Sequence, residues 1–369
     1  MTADNLQRIS RLTPLAEAIA TLNAIAKPVT PVELDISECA GLALAADLKC
    51  PRTNPDFAMA LRDGWAVRAD ALAGAGPYAP LPLEPAPIWI DAGNKLPAGT
   101  DSIAPLEAVS FAGGAAQAVA EIFPGENVLQ PGDFAREGAA LCANGARLRA
   151  TDVAVAALAG VTRASVRKPR IALLQGGARD VSATLRFFTH AIAGQGGSAE
   201  IVDAAFDKFL AANTEYDAVV AVGGTGSGKN DNAVATLAAH GEVAVHGIAI
   251  APGETSALGL VQGKPALLLP GRFDAALVAW LLAGRPLLNA LAAHSGRDAT
   301  TPVTLAGKIA SAPSIAEAVP LRCEGDKAMP LASGVLSYES LSLADGWVLV
   351  PPESEGFAEG SIVEMRPLP

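Results

Sequence analysis

The 369-residue chain is poor in cysteine, with only Cys39, Cys50, Cys142 and Cys323, and no CxxC spacing among them. That excludes a disulfide-stapled secreted domain and a thiolate zinc site, and it fits free thiols in a reducing, cytoplasmic setting. Long apolar runs are lacking too. Val153 to Val161 and Ala275 to Leu282 fall short of the roughly 18–20 residues that a spanning helix needs, so no membrane segment is expected. The opening segment, MTADNLQRIS, has no apolar centre, and no signal peptide is expected. Positive charge is in deficit, 27 Lys and Arg against 38 Asp and Glu for a net charge of −11, which argues against a nucleic-acid partner. The histidines His190, His240, His246 and His294 show no metal spacing, and His240 is expected simply to end a helix. No GxSxG elbow or Cys/His pair marks a nucleophile. Trp65, Trp89, Trp280 and Trp347 read as packing residues.

What is there is alanine, glycine and proline, in three textures. The length implies about two to four domains. Residues 1–167 open with a helical segment, Pro14 to Ala26, and continue as a strand-and-turn stretch dense in proline (Pro77, Pro80, Pro82, Pro85, Pro87). Such density suits edge strands and loops. A further helix is expected over Thr151 to Gly160. Residues 168–296 alternate. Strands are expected at Arg170–Leu174, Ala199–Val202, Ala218–Val222, Val243–Ile250 and Ala266–Leu269. Helices are expected at Ala183–Ile192, Ala204–Ala212, Ala233–His240 and Ala275–Leu291, the last broken at Pro286. This alternation predicts a multidomain α/β protein whose central parallel sheet is covered by helices on both faces. Residues 297–369 read as short strands forming a small barrel or sandwich.

The most telling stretch is Tyr216 to Asn232, YDAVVAVGGTGSGKNDN. An apolar strand ends abruptly at Gly223, Gly224, Thr225, Gly226, Ser227, Gly228 and Lys229, Asp231 follows, and then a helix begins. Glycines let backbone N–H groups approach a ligand, and a helix start adds partial positive charge, so the expected ligand is a phosphate-bearing or similar anion. The loop nearly matches a GxxxxGK[ST] phosphate loop, but Asn230 stands where a hydroxyl should hold magnesium. A third reading is a strand–helix turn whose glycines serve only the backbone. Two other strand ends carry comparable turns, Pro252-Gly253 and Pro270-Gly271-Arg272. Ligands of open α/β sheets bind beyond such ends.

Taken in order, these pieces resemble the molybdopterin molybdenumtransferase family, which includes the bacterial molybdenum-insertion enzyme and the gephyrin E domain. Asp63 to Arg68 (DGWAVR) resembles its DGYAV segment, and Asn127 to Leu148 a second N-terminal stretch. Lys168 to Leu174 resembles the first strand of its molybdopterin-binding domain, and Gly223 to Asp231 its GGxSxGxxD loop. Ile250 to Gly253 and Leu269 to Gly271 resemble its KPGKP and LPGNP turns, and Ser340 to Val363 its C-terminal barrel. The resemblance implies a three-layer α/β/α molybdopterin-binding domain, a β-rich N-terminal region and a small C-terminal β-barrel. It implies insertion of molybdate into adenylated molybdopterin with release of AMP, Mg2+ at Asp231, and Asp63 and Asp231 as catalytic residues. It also implies an elongated homodimer in which Asp63 nears the partner chain's site, and Arg322 and Ser333 as contacts of the oxyanion. A molybdoenzyme or another biosynthetic protein is the expected further partner.

The departures fall at the chemistry. A TGDEL-type turn is Gln175-Gly176-Gly177-Ala178-Arg179 here, without its acids. The KPGKP turn is Ala251-Pro252-Gly253-Glu254-Thr255, without its lysines, and Arg272-Phe273 replaces Asn-Pro. Two anions must meet in such a site, so lost lysines weaken it unless Arg179, Lys229 or Arg272 compensates. This leaves a second expectation: a non-catalytic paralogue that carries molybdopterin or finished cofactor to a molybdoenzyme.

Overall fold

The computed structural model describes residues 7–212, 215–296 and 299–369. The first six residues of the opening segment, and Arg297 at the expected start of the last region, lie outside them. The chain divides into two compact units. One comprises Met1–Ala46, Asn144–Ala150 and Ala164–Pro369, and the other Asp47–Ala143 and Thr151–Arg163.

The first unit opens with helix α1 (Leu15–Ile25) and then holds the alternating region. In order come β1 (Arg170–Gln175), α2 (Ser182–Gly194), β2 (Ser198–Ile201), α3 (Phe206–Ala211), β3 (Ala218–Val222) and α4 (Ala233–His240). Then follow β4 (Gly241–His246), β5 (Ala257–Val261), β6 (Lys264–Leu269), α5 (Phe273–Ala279) and α6 (Arg285–Leu291). The sheet order is β2-β1-β3-β6-β5-β4. β2, β1, β3 and β6 are mutually parallel, as the alternation predicts.

Successive residues of β3 point to opposite faces and feed two cores. Val220 and Val222 pack with α1, α2, α5 and α6. Val219 and Ala221 pack with Phe206, Phe209 and Leu210 of α3 and Leu237 of α4. The three layers follow from this: strands buried on both faces must be apolar at every position, and AVVAV is.

The far edge of the sheet differs from expectation. β5 runs antiparallel to both β6 and β4. The expected single strand Val243–Ile250 is β4 followed by a separate strand, Ile250–Ala251, which pairs in parallel with β8 (Ala316–Glu324). β5 itself is joined to β6 by Gln262 and Gly263, both with positive φ (51° and 75°), a two-residue hairpin turn. The long helix breaks earlier than Pro286 alone suggests, at a π-helical turn over Trp280–Gly284. Pro286 lacks the N–H and crowds the carbonyl of Leu282, so the irregularity lies in the preceding turn. Counted through that turn, Phe273–Leu291 is long and apolar enough to cross a membrane, which its shorter apolar stretch does not indicate. Its window is 78% buried inside the protein, however, and it packs as a core helix.

The C-terminal strands close on themselves. β7 (Thr301–Leu305) pairs with β9 (Lys327–Pro330) and with β11 (Ile362–Met365). β9 pairs with β8, and β8 with β10 (Gly346–Val350). Trp347 of β10 exchanges two backbone hydrogen bonds, 2.9 and 2.8 Å, with Arg366 just past β11, completing the small barrel. Val303, Leu305, Val319, Leu321, Val348 and Val363 fill it.

The second unit is β-rich. Gly64–Val67 lies between Ile88–Ile90 and Ser102–Ala104. Pro82 sits in an edge strand, where its missing N–H costs no ladder bond. The helix expected over Thr151–Gly160 is Ala150–Leu158, ended by Gly160 at φ 95°.

Candidate functional site

Three turns meet at the C-terminal rim of β1, β3 and β6. The Gly176 N–H donates to the Val222 carbonyl, and the Gly223 N–H to the Leu269 carbonyl, both at 2.8 Å. The turns then stack glycine on glycine. A Cβ on Gly177 would lie 2.6 Å from the Gly224 nitrogen, and one on Gly224 (φ 73°) 2.5 Å from the Gly176 oxygen. Only glycine fits such a contact. Gly224 therefore serves backbone packing, and Gly223, at φ 94°, the turn itself, one of the readings open from the sequence.

The rest of the loop is built differently. Cβ atoms on Gly226 and Gly228 would meet only the Asp231 carboxylate, at 2.8 and 2.9 Å. Asp231 Oδ2 accepts the Gly228 N–H at 3.1 Å, and the Gly228 carbonyl accepts the Asp231 N–H at 3.0 Å. Asp231 thus pins the loop by a reciprocal pair. Ser227 and Lys229 are exposed on its crest. Thr225, 2% exposed, shares a 2.8 Å hydrogen bond with the hydroxyl of Thr255 from the Pro252-Gly253 turn. His246 Nε2 lies 3.2 Å from the Thr225 carbonyl.

The start of α4 is occupied from within the chain. Gln7 Nε2 donates to the Gly224 and Gly226 carbonyls at 2.6 and 2.7 Å. Gln7 Oε1 accepts the Val234 and Ala235 N–H groups at 3.1 and 3.2 Å. Two of the helix-start donors that the sequence reading offers to an anion are thus taken by this amide.

A cleft of about 800 Å³ opens beyond β1, β2 and β3. Gly177 and Ala178 of the first turn, Asn230 and Asn232 of the loop, and Arg186 and Asp203 line part of it. Its size suits a small-molecule ligand. Of the cations expected to compensate, Arg179 and Lys229 are exposed. Arg272 is tied to Asp274, Nε to Oδ1 at 3.0 Å and Nη2 to Oδ2 at 2.6 Å. The Asp274 hydrogen bonds hold the Arg272 guanidinium above its ordinary value. Burial pushes the Asp274 carboxyl up, but the bonds from Arg272 and from the Ala275 and Leu336 N–H groups outweigh it, so its pKa lies below the usual value.

Of the remaining expected residues, Ser333 is tied to the neighbouring turn, since the strand of its partner Glu317 pairs with Ile250-Ala251, while Arg322 bonds no rim residue among the described ones. Arg322 is half exposed and faces Glu324 at 3.9 Å. Ser333 donates to the buried Glu317 at 2.8 Å, which also accepts the Gly334 N–H at 2.6 Å. Asp63, in the second unit, accepts the Ala92 N–H at 2.7 Å. Magnesium fits poorly. No three His, Cys, Asp or Glu side chains group as a metal site among the described residues, and Asp231 is turned onto its own loop. Magnesium is commonly held by one or two carboxylates together with substrate phosphates and water, so with Asp231 engaged in its loop such an ion would depend mainly on the ligand's own oxygens.

The chain thus combines an α/β/α domain bearing a glycine-loop rim, a β-rich region and a small barrel. Residues 13–160 match the family model described as MoeA N-terminal region (domain I and II). Residues 181–290 match the "Probable molybdopterin binding domain", and residues 302–368 the MoeA C-terminal region (domain IV). The chain belongs to the molybdopterin molybdenumtransferase family, as a divergent member. It is 26% identical to a molybdopterin molybdenumtransferase of Haemophilus influenzae, over 72% of this chain and 74% of the relative. A Methanocaldococcus jannaschii protein named for molybdopterin biosynthesis is 25% identical over 90% and 91% of the two chains. The crystal structure of a molybdopterin biosynthesis MoeA protein from Pyrococcus horikoshii superposes with a TM-score of 0.74 at 26% identity, covering 97% of this chain and 100% of that one.

Sequence alone does not single out Gln7, Thr255 or His246 as partners of the loop. No local spacing marks them, because each reaches the loop from a distant part of the chain. Gln7 and Gly224 are 217 positions apart.

Proposed function

We propose that this chain binds molybdopterin at the β3–α4 loop and acts in molybdenum cofactor biosynthesis, inserting molybdate into adenylated molybdopterin with release of AMP. The observation that carries this is the loop itself: a glycine-lined strand end, pinned by Asp231 beside a ligand-sized cleft. Ser227 and Lys229 offer hydrogen bonds and charge to a phosphate, on a loop that Gly228 and Asp231 hold in place. Thr225, Pro252, Gly253, Pro270 and Gly271 shape the neighbouring turns. Asp63 acts as in the family from a second copy of the chain, in a cytoplasmic homodimer. Arg322 and Ser333 are the weaker candidates for oxyanion contact. No step here is assigned to a protein-held magnesium ion. Regions 1–167, 168–296 and 297–369 are the proposed domains.

One observation favours a second reading, a carrier without turnover. The Ala251–Thr255 turn has lost its lysines, and Arg272 is already neutralised by Asp274. A molybdate ion there meets little free positive charge. The test gives purified protein adenylated molybdopterin, molybdate and magnesium, and follows AMP and active cofactor. Coupled formation of both supports the transferase. Pterin binding without AMP leaves the carrier, and absence of pterin binding removes both readings.

A further inference from the structure

The segment Gln7 to Thr13 is built into the glycine-loop site. The Thr13 N–H donates to the Gly247 carbonyl at 2.9 Å, and the Thr13 carbonyl accepts the Ala249 N–H at 2.8 Å. A Cβ on Gly247 would lie 2.5 Å from the Ile9 side chain, so the segment lies tightly on that turn. Gln7 then spans the loop and the start of α4 with all four of its amide hydrogen bonds. Its amide takes the Val234 and Ala235 donors, so a phosphate is displaced from the helix start to the space beside it.

That space is a cleft of about 480 Å³ lined by Gln7, Arg8, Ile9, Gly226, Ser227 and Thr255. The lining holds one cation and no carboxylate. Arg8 is exposed, and it has no ion pair among the described residues. It lies alongside the loop crest and the very turn that lacks the family's lysines. In a chain of net charge −11, a local guanidinium with neighbouring hydroxyls is what retains an anion.

We propose that Arg8 is a ligand-binding residue of this chain. It contacts the phosphate or phosphoanhydride of the pterin ligand in the cleft against Ser227 and Thr255, replacing the charge missing from the Ala251–Thr255 turn. Gln7 is the positioning residue that fixes the loop and the segment bearing Arg8. The inference rests on the pterin-binding reading for the ligand's identity, but not for its anionic chemistry.

The experiment measures equilibrium binding of molybdopterin, by its pterin fluorescence, and of inorganic pyrophosphate, by calorimetry, to the full chain at two salt concentrations. Wild type, Arg8→Ala, Arg8→Lys and Gln7→Ala are compared. Arg8→Ala is expected to bind both probes about tenfold more weakly with a shallower salt dependence, and Arg8→Lys to recover part of the loss. Gln7→Ala should also weaken binding. Equal affinity in wild type and Arg8→Ala overturns the proposal. A rise in affinity in Gln7→Ala overturns it too, since the segment would then be a plug competing with the ligand. Arg8-dependent pyrophosphate binding without molybdopterin binding upholds the anion subsite and removes the pterin reading. Absence of binding to both probes in wild type overturns both. Unchanged thermal unfolding in Arg8→Ala, an exposed position, separates these outcomes from a folding defect.

Discussion

Arg272 and Asp274 face each other through two hydrogen bonds, at 3.0 and 2.6 Å, within the turn that leads from β6 into α5. The partners are unequal: the Asp274 side chain is 7% exposed and that of Arg272 52%. The sequence presents Arg272 as a spare cation for the oxyanion. The fold uses it first to neutralise a buried carboxylate.

This asymmetry makes a prediction with a sign. Arg272→Ala strands a buried charge and should destabilise by about 2 kcal/mol at neutral pH, whereas Asp274→Asn leaves an exposed arginine and should cost less. The Asp274 pKa is lowered by folding from its ordinary 3.8. Its stabilising contribution is therefore complete above that value and is lost as pH falls through the folded value. In Arg272→Ala burial is less opposed, so part of the deficit should disappear on acidification. Denaturant unfolding of both variants at neutral pH and near pH 4 checks this, and equal deficits at the two pH values would contradict it.

The glycines of the loop should separate into two kinds. Gly224→Ala places a Cβ 2.5 Å from a backbone oxygen at φ 73° and should cost about 2–4 kcal/mol or prevent folding. Gly228→Ala meets only the Asp231 side chain, at 2.9 Å, which can rotate away. Its stability should change by less than about 1 kcal/mol while pterin affinity falls. Thermal unfolding alongside pterin titration distinguishes the two.

How far these features were legible depends on how local they are. Strand β3, its loop and α4 are contiguous and apolar in the right places, and the sequence reads them nearly residue by residue. The antiparallel hairpin of β5 and β6 was missed, although Gln262-Gly263 between two apolar runs is a turn signal of the type that joins such strands. Merging Val243–Ile250 into one strand hid it, because apolar continuity does not reveal that Ile250 leaves one sheet for another. The loop's partners were not legible at all. Nothing near Gln7 or Thr255 signals that each hydrogen-bonds the loop. Arg272 was legible as a cation but not as one already paired, since only burial shows what Asp274 requires.

Asp231 offers a test of structure against chemistry. Its carboxylate accepts the Gly228 N–H, and an asparagine oxygen can accept the same bond. Asp231→Asn should keep the loop and pterin affinity within about threefold, and Asp231→Ala should lose about tenfold. If Asp231 has a catalytic role, the Asn variant should also lose AMP release at retained binding. AMP release unchanged in Asp231→Asn would confine the residue to holding the loop.

The Thr225–Thr255 hydrogen bond ties the glycine loop to the Pro252-Gly253 turn, at 2.8 Å. Thr225 is nearly fully buried, so Thr255→Val leaves its hydroxyl without that partner and should cost about 1–2 kcal/mol. Replacing both by valine removes the orphan and should cost less than the sum of the single changes, with a coupling of about 1 kcal/mol. The same cycle run on pterin affinity asks whether the two turns act as one site. Coupling in stability with additive effects on binding would mean the contact only braces the fold. Coupling in both would mean that the loop and the lysine-less turn grip the ligand together, so restoring a lysine at Ala251 or Glu254 should raise molybdate affinity through the same pair.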